Sequence, residues 1–162
     1  MTETEFWHLV DSTQAQASGN RDLQAAKLKH SVLQLSTVEY TDLLRHFLEV
    51  KHAIMRRDDL INAAYLANEQ CLSLDALDYF CDWLIGSGSA AYQQAFKNPD
   101  AVIDLMRQHG HPSLEEFASA LFCRNDEGPL EDLSDRPAIK GRLWSPDEQR
   151  QRLPLLFQYS QV

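Results

Sequence analysis

Glycine and proline are scarce in this sequence, with six of each among 162 residues. A β-sandwich needs many tight turns, which these two residues form most readily, so their scarcity disfavours that class. The chain also lacks any convincing run of alternating apolar and polar residues, the pattern of a half-buried strand. Hydrophobic residues make up 44% of the chain, enough to fill the core of one domain. We therefore predict an all-α protein with long helices and short connections.

Cysteine and long apolar runs are scarce as well. The three cysteines, Cys71, Cys81 and Cys123, are odd in number and show no Cys-x-x-Cys spacing. This is typical of reduced thiols, so we predict a cytoplasmic protein. No apolar run reaches the ~18 residues that span a bilayer. The opening "MTETEFWHLV" carries two early glutamates where a signal peptide carries basic residues. We predict no membrane segment and no membrane partner.

Basic residues are few, because 15 Lys and Arg stand against 24 Asp and Glu, for a net charge of −9. A surface of this sign repels phosphate backbones, which argues against a general nucleic-acid-binding protein. It suits a basic protein partner, or it serves solubility alone. Both explanations of the charge remain open at this stage.

Signals for helix starts recur along the chain. Capping boxes, in which a hydroxyl and a carboxylate three residues later satisfy free backbone N–H groups, are predicted at Thr2, Ser36, Ser113 and Ser145. Together with other caps they predict about seven to nine helices around one core.

The other caps mark the middle and the end of the chain. Asp58 and Ser73 are predicted N-caps, and Asn98-Pro99-Asp100 is a predicted helix start with proline in the first turn. A short terminal helix is expected to end at or before Leu153, because Pro154 cannot continue it.

The segment "YFCDWLIGSG", residues 79–88, is the most unusual stretch. Apolar side chains at helical spacing predict a central helix with Trp83 buried, and Asp75, Asp78 and Asp82 form its polar stripe. No Lys-Ser/Thr follows the two glycines and no strand precedes them, so a phosphate-binding loop is disfavoured. We predict instead that Gly86 or Gly88 adopts a positive φ at the helix end. In the preceding part of the chain, a second helix is predicted from about Asp22 to Leu35, with Leu23, Ala26, His30 and Leu33 on one face.

The domain organisation follows from composition. We predict a single helical domain over 1–162, with a helical core at 1–124, a loop at 125–145, and a C-terminal helix and tail at 146–162. The loop contains prolines, glycines and five acidic residues, Asp126, Glu127, Glu131, Asp132 and Asp135. This composition is typical of a long surface loop.

Catalytic and metal-binding patterns are weak. His109 and His111 lie close in sequence, but no third ligand is indicated, and "HGHP" is an ordinary polar turn. Cys81 lies between Asp78 and Asp82 in a region without an evident cation, which disfavours a reactive thiolate. We predict no metal, no cofactor and no catalytic residue.

The segments "EFWHLVD", "AAYLANEQC" and "FCDWLIGSG" resemble a bacterial family known as domain of unknown function 4240. Members open with a Phe-Trp pair, as at Phe6-Trp7, and carry a "dLWgAAy" block, matched by "DLINAAY" at 59–65. A Phe-Arg-x-Trp-Leu-Ile-x-x-Gly block is matched by Phe80, Trp83, Leu84, Ile85 and Gly88, and Asn98-Pro99-Asp100 follows. The resemblance covers roughly residues 3 to 105 and extends in part to "GRLWSPDEQRQRLPLLF".

Three departures from the family pattern stand out. The usual Trp of the "dLWgAAy" block is Ile61, and the usual Arg after the Phe is Cys81. A Gly-Cys-Ser-Asp-Asp turn is reduced to "QCLSLD", which keeps Cys71 and loses the acid pair. If the Arg and the acids form a polar site in other members, this chain lacks it.

The sequence favours a non-catalytic acidic binding protein. The resemblance implies an immunity protein, because proteins similar to this family are expected beside contact-delivered toxins. Its partner would be a cognate toxin domain with a basic cleft. The candidate contact residues are the five acids of the loop, or Asp75, Asp78 and Asp82. The alternatives are an enzyme whose site is built from Asp, His and Arg, and a regulatory or scaffold domain. The oligomeric state is open.

Overall fold

A computed structural model describes residues 1–112, 116–124 and 141–162. Within these ranges the chain forms only helices and connections, which confirms the all-α prediction. The ten α-helices and one short 3₁₀ helix are α1 Glu3–Ala17, α2 Arg21–Leu33, α3 Thr37–Met55, α4 Asp58–Ala67, α5 Leu74–Gly86, α6 Ser89–Lys97, the 3₁₀ helix Pro99–Ala101, α7 Val102–His109, α8 Glu116–Leu121, α9 Pro146–Arg152 and α10 Pro154–Tyr159.

Local capping chemistry defines five of the described helix starts. The predicted boxes at Thr2, Ser36 and Ser145 are all formed, and the Ser73 hydroxyl accepts the Ala76 N–H at the start of α5. Ser113, the remaining predicted box residue, lies outside the described residues.

The predicted cap at Asp58 is wrong. Arg57 occupies the N-cap position of α4 and makes no side-chain capping bond, and Asp58 is the first helical residue. The Asp58 carboxylate instead accepts the backbone N–H of Arg142, 2.8 Å away, so a tertiary contact has taken over the group that would have capped the helix.

Helix α5 lies at the centre of the fold. It contacts α1, α3, α4, α6 and α8, and Trp83 is completely buried, as predicted. Gly88 follows the helix with φ 98°, a backbone angle that glycine adopts without strain, while Gly86 remains in the last turn of α5. Ser87 and Gly88 therefore separate two helices, α5 and α6.

One hydrophobic core unites the described residues into a single domain. Helices α1 to α8 and α10 all contribute buried apolar side chains to the same cluster. The face of α2 that carries Leu23, Ala26, His30 and Leu33 points to solvent, because α2 packs through Gln24, Leu28 and Val32. Among the described residues, no helix is both long and apolar enough to cross a membrane.

The C-terminal part contains one helix more than expected. Helix α9 ends at Arg152, as the proline at 154 requires, but Pro154 also begins a further helix, α10. Proline is well suited to a first helical position, because its N–H would have no partner there in any case. This break raises the number of described α-helices to ten, just above the predicted range.

Candidate functional site

The acidic stripe predicted on α5 does not face solvent along its whole length. Asp75 is exposed, Asp78 is partly buried, and Asp82 is buried with only 4% exposure. Steps of three and four residues place the three carboxylates along one side of the helix. That side faces solvent at the first turn and α3 further along.

Lys51 of α3 meets the buried end of this stripe. Its Nζ lies 2.8 Å from a carboxylate oxygen of Asp82 and 3.3 Å from one of Asp78, and its side chain is 13% exposed. The same ammonium lies 5.5 Å from the centroid of the Phe47 ring. Lys51, Asp78 and Asp82, the Lys51 cluster, thus join α3 to α5 through charge.

Burial and charge shift the pKa values within the Lys51 cluster. Burial raises the pKa of Asp82 to about 6, and the neighbouring Lys51 ammonium opposes that rise only in part. Burial lowers the pKa of Lys51, but Asp82 and Asp78 outweigh it, so this pKa lies above its usual value. Lys51 therefore remains charged while Asp82 takes up a proton in mildly acidic solution.

A carboxyl group of this pKa is suited in principle to proton transfer near neutral pH. In this cluster, however, Asp82 is covered by its own protein and bonded to Lys51. Cys81 beside it is completely buried, and burial raises the pKa of its thiol, which disfavours the nucleophilic thiolate. We assign the cluster a structural role.

The raised pKa of Asp82 predicts a specific pH dependence of stability. A folded-state pKa of about 6 against 3.8 when unfolded means that the folded protein binds this proton more tightly. Protonation of Asp82 therefore adds about 3 kcal/mol to the free energy of unfolding in acid. This contribution is fully present below the unfolded pKa of 3.8 and is lost as the pH rises through 6. In Asp82→Asn this contribution is absent.

The measurement is urea unfolding of wild type and Asp82→Asn between pH 4 and pH 7. The difference between their free energies of unfolding should change by about 2 kcal/mol over this range, because at pH 4 the unfolded chain is already partly protonated at Asp82. Other titrating groups cancel in the difference. Two parallel stability curves would show that the Asp82 pKa is not raised.

A second buried polar group, Asn62 of α4, holds the segment that follows residues 126–135, the acidic stretch. Its amide nitrogen donates to the carbonyl oxygens of Asp58 and Arg142, at 2.8 and 2.9 Å. Its amide oxygen accepts the backbone N–H of Trp144 and the side-chain amide of Gln149, at 2.9 and 3.0 Å. Asn62 is completely buried, and these four bonds use both donors and both acceptor sites of its amide. Three of them attach residues 142–149 to α4.

Asp100 performs a similar task for α10. Its two carboxylate oxygens accept the backbone N–H groups of Leu155 and Leu156, at 3.1 and 2.9 Å. These N–H groups lie in the first turn of α10, where backbone N–H groups have no carbonyl partner within the helix. The helix dipole also stabilises a negative charge at this end. The Asn98-Pro99-Asp100 step thus starts its own short helix and also caps a distant one.

The five predicted contact residues of the loop, Asp126, Glu127, Glu131, Asp132 and Asp135, lie outside the described residues. The residues on either side of them are held in place. Before the acidic stretch, Arg124 donates to the carbonyl oxygen of Leu35 at 2.6 Å, and its guanidinium lies 4.8 Å from the centre of the Tyr40 ring. After it, Gly141 packs so closely on Ile61 that an added Cβ would lie 2.3 Å from the Ile61 Cδ1.

The histidine pair noted in the sequence lies at the end of α7. His109 is partly buried, which lowers its pKa, and its carbonyl oxygen accepts a bond from the Arg21 guanidinium; His111 is exposed. Within the described ranges, no three His, Cys, Asp or Glu side chains group as metal ligands would. The prediction that no metal binds continues to rest on the sequence.

Sequence reasoning missed the role of Lys51. Lysine side chains are mostly exposed in proteins, whereas Lys51 lies in the interface with α5. A signal was present, since Lys51 falls four residues after Phe47 and three before Ile54, both of which are buried. Three- and four-residue steps share one helix face, so Lys51 belongs to the buried face of α3.

Residues 1–125 match the family described as protein of unknown function DUF4240, which is more than half of the chain. The chain belongs to the DUF4240 family. This confirms the resemblance seen in the sequence. No curated protein and no solved structure matches the chain.

The residues that carry the DUF4240 resemblance build the core. Phe80, Trp83, Leu84 and Ile85 are all completely buried on α5. The family's usual Arg position holds Cys81, whose thiol is enclosed in the same core. In this DUF4240 member the block around Trp83 therefore specifies packing, and the surface must supply any contact with a partner.

Proposed function

We propose that this protein is a non-catalytic binding protein that neutralises a bacterial toxin domain, that is, an immunity protein. The contact would be made by the acidic stretch between Asp126 and Asp135, inserted into a basic cleft of the toxin. The observation that carries the proposal is that the core holds the chain firmly on both sides of this stretch.

The two attachments are of different chemistry. Arg124 is held by a hydrogen bond to Leu35 and by the face of Tyr40. On the far side, the Arg142 N–H bonds the Asp58 carboxylate, and its carbonyl oxygen accepts from Asn62. An acidic stretch fastened at both ends loses less freedom on binding than a free tail would.

The charge of the stretch suits an inhibitor. No Lys or Arg falls between Arg124 and Arg136, while five acids do. Many toxins that act on nucleotides or nucleic acids carry basic clefts. A concentrated negative charge would speed the encounter with such a cleft and then occupy it.

The stripe Asp75, Asp78 and Asp82 is the second candidate surface. Lys51 already pairs with Asp78 and Asp82, which leaves Asp75 as the carboxylate of this stripe most open to a partner. The acidic stretch is therefore the stronger candidate.

The test is co-expression with the product of the adjacent gene in a growth assay. If that product is toxic alone, the intact protein should restore growth. The variant Glu131→Lys/Asp132→Lys/Asp135→Lys should restore growth poorly and associate more slowly, most clearly at low salt.

The matched control is Glu49→Lys/Asp104→Lys/Asp147→Lys, which changes the net charge by the same amount at acids elsewhere, of which Glu49 and Asp147 are exposed and Asp104 is partly buried. It should restore growth as wild type does. Rescue that survives reversal of both the loop acids and Asp75, Asp78 and Asp82 would refute the acidic contact. A harmless neighbour that does not bind the protein would remove the immunity proposal.

A further inference from the structure

Helix α2 turns an apolar stripe towards solvent. Leu23 is 42% and Leu33 is 51% exposed, and Ala26 and His30 between them are exposed as well. These four residues, the α2 stripe, recur at three- and four-residue steps and so form one continuous face. Exposed leucines aligned in this way are typical of a contact surface more than of scattered surface residues.

Lysines flank the α2 stripe on both sides. Successive residues of an α-helix are about 100° apart, which places Lys27 on one side of the stripe and Lys29 on the other. Neither lysine forms an ion pair with a carboxylate of the described residues. Beside Lys27 runs a groove of about 320 Å³ between α1 and α2, lined with polar side chains. A basic, leucine-bearing surface thus occurs on a chain of net charge −9.

The start of α5 has the complementary composition. Leu72 is 38% and Leu74 is 60% exposed, and Glu69 and Asp75 beside them are exposed and form no ion pair with a described cation. A hydrogen bond from Asn68 to the Ala76 carbonyl folds the two sides of this turn together. Glu69, Leu72, Leu74 and Asp75 form an acidic, leucine-bearing surface, the α5 patch.

The α2 stripe cannot reach the α5 patch of its own chain. Helix α2 is fixed to the C-terminal end of α5, where Gln24 donates to the Gly86 carbonyl oxygen at 2.7 Å. The α5 patch lies at the first turn of the same helix. Helix α5 has 13 residues, so about 20 Å separates its two ends.

We propose that the α2 stripe of one molecule binds the α5 patch of a second copy, head to tail. Leu23 and Leu33 would pack against Leu72 and Leu74, while the flanking lysines would pair with Glu69 and Asp75. Because the two surfaces differ, each molecule in a pair keeps one of each free, and the contact repeats. The proposal is independent of toxin neutralisation.

The contact would be weak. Each surface is one helix face or one turn, smaller than a stable interface, which buries about 1,200–2,000 Å² in total. Its charges lie at the surface, where salt screens them. Association should therefore depend on both protein concentration and ionic strength.

Sedimentation equilibrium of the intact chain tests the contact. At low salt the weight-average mass should rise above the 18.5 kDa of the monomer with increasing concentration, and high salt should reverse the rise. The variants Lys27→Glu/Lys29→Glu and Glu69→Lys/Asp75→Lys should each associate at least about ten-fold more weakly. Mixed in equal amounts they should associate again, since their reversed charges are complementary.

A matched control and a cross-link complete the design. Arg56→Glu/Lys97→Glu makes the same charge change as the lysine variant at other exposed positions and should leave association unchanged. Cys71 is exposed beside Leu72, so Ala26→Cys should form a disulfide with Cys71 of a second copy on oxidation with diamide. The change Cys71→Ser should abolish that cross-link.

Four outcomes would overturn the proposal. The first is the monomer mass at every protein concentration, and the second is association weakened equally by the control variant. The third is no renewed association when the two charge-reversed variants are mixed. The fourth is a disulfide that joins position 26 of one Ala26→Cys molecule only to position 26 of another. The last would indicate a symmetric contact between α2 helices.

Discussion

Replacing Trp83 with alanine should lower the free energy of unfolding by about 3–5 kcal/mol. Trp83 is completely buried in the middle of α5, with its ring centre 5.7 Å from that of Phe80. The change removes the largest fully buried side chain of the described residues and leaves a cavity that the packed helices around α5 can close only in part.

The phenylalanine variant separates packing from hydrogen bonding. The indole N–H of Trp83 is buried and has no hydrogen-bond partner among the described residues. An unsatisfied buried donor is unfavourable, so Trp83→Phe removes that penalty while it keeps most of the ring contacts. It should cost about 1–2 kcal/mol.

Urea unfolding followed by far-ultraviolet circular dichroism measures both effects. Trp7→Ala serves as a control, because Trp7 is only partly buried against Tyr92 and should cost less than Trp83→Ala. An unchanged midpoint in Trp83→Ala would place this Trp at the surface. Equal costs for Ala and Phe would show that ring packing is not the source of its stability.

Replacing Asn62 with alanine should lower the free energy of unfolding by a similar amount, about 3–5 kcal/mol. The change leaves the N–H of Trp144 and the side-chain amide of Gln149 without this partner in a buried environment, and the carbonyl of Arg142 without it in a partly buried one. Each buried polar group without a partner costs about 1–3 kcal/mol.

The same variant should loosen the return of the chain after the acidic stretch. Hydrogen exchange of the Trp144 amide should become faster, and the fluorescence of the now wetter Trp144 should shift to longer wavelength. Gln70→Ala is the control, since it removes an exposed hydrogen bond from the Gln70 side chain to the Ser160 carbonyl oxygen. It should change the free energy of unfolding by less than about 0.5 kcal/mol. Unaltered exchange at Trp144 in Asn62→Ala would mean that other contacts hold the segment.

The stability losses expected for Trp83→Ala and Asn62→Ala differ in how far the sequence alone predicts them. The burial of Trp83 was predictable, because apolar residues surround it at helical spacing. The role of Asn62 was not, since nothing within α4 marks one asparagine as fully bonded. Its partners lie at 142–149, and their approach depends on the packing of the whole chain.

The acids show the same division. Spacing alone placed Asp75, Asp78 and Asp82 on one side of α5, and that side is where they lie. Which of them faces solvent was decided by Lys51, 31 residues away from Asp82 in the chain. The five loop acids remain a prediction from composition.

The sequence by itself determined the helical class, the positions of most helix starts and the central place of α5. These depend on capping and on helical periodicity, whose chemistry acts within a few residues. Only the tertiary structure decided that Asp58 bonds Arg142 instead of capping α4, and that Asp100 caps α10. It also decided that α2 presents Leu23 and Leu33 to solvent. Each of these outcomes depends on contacts between residues far apart in the chain. Residue spacing within one helix carries no information about which distant group will contact that helix.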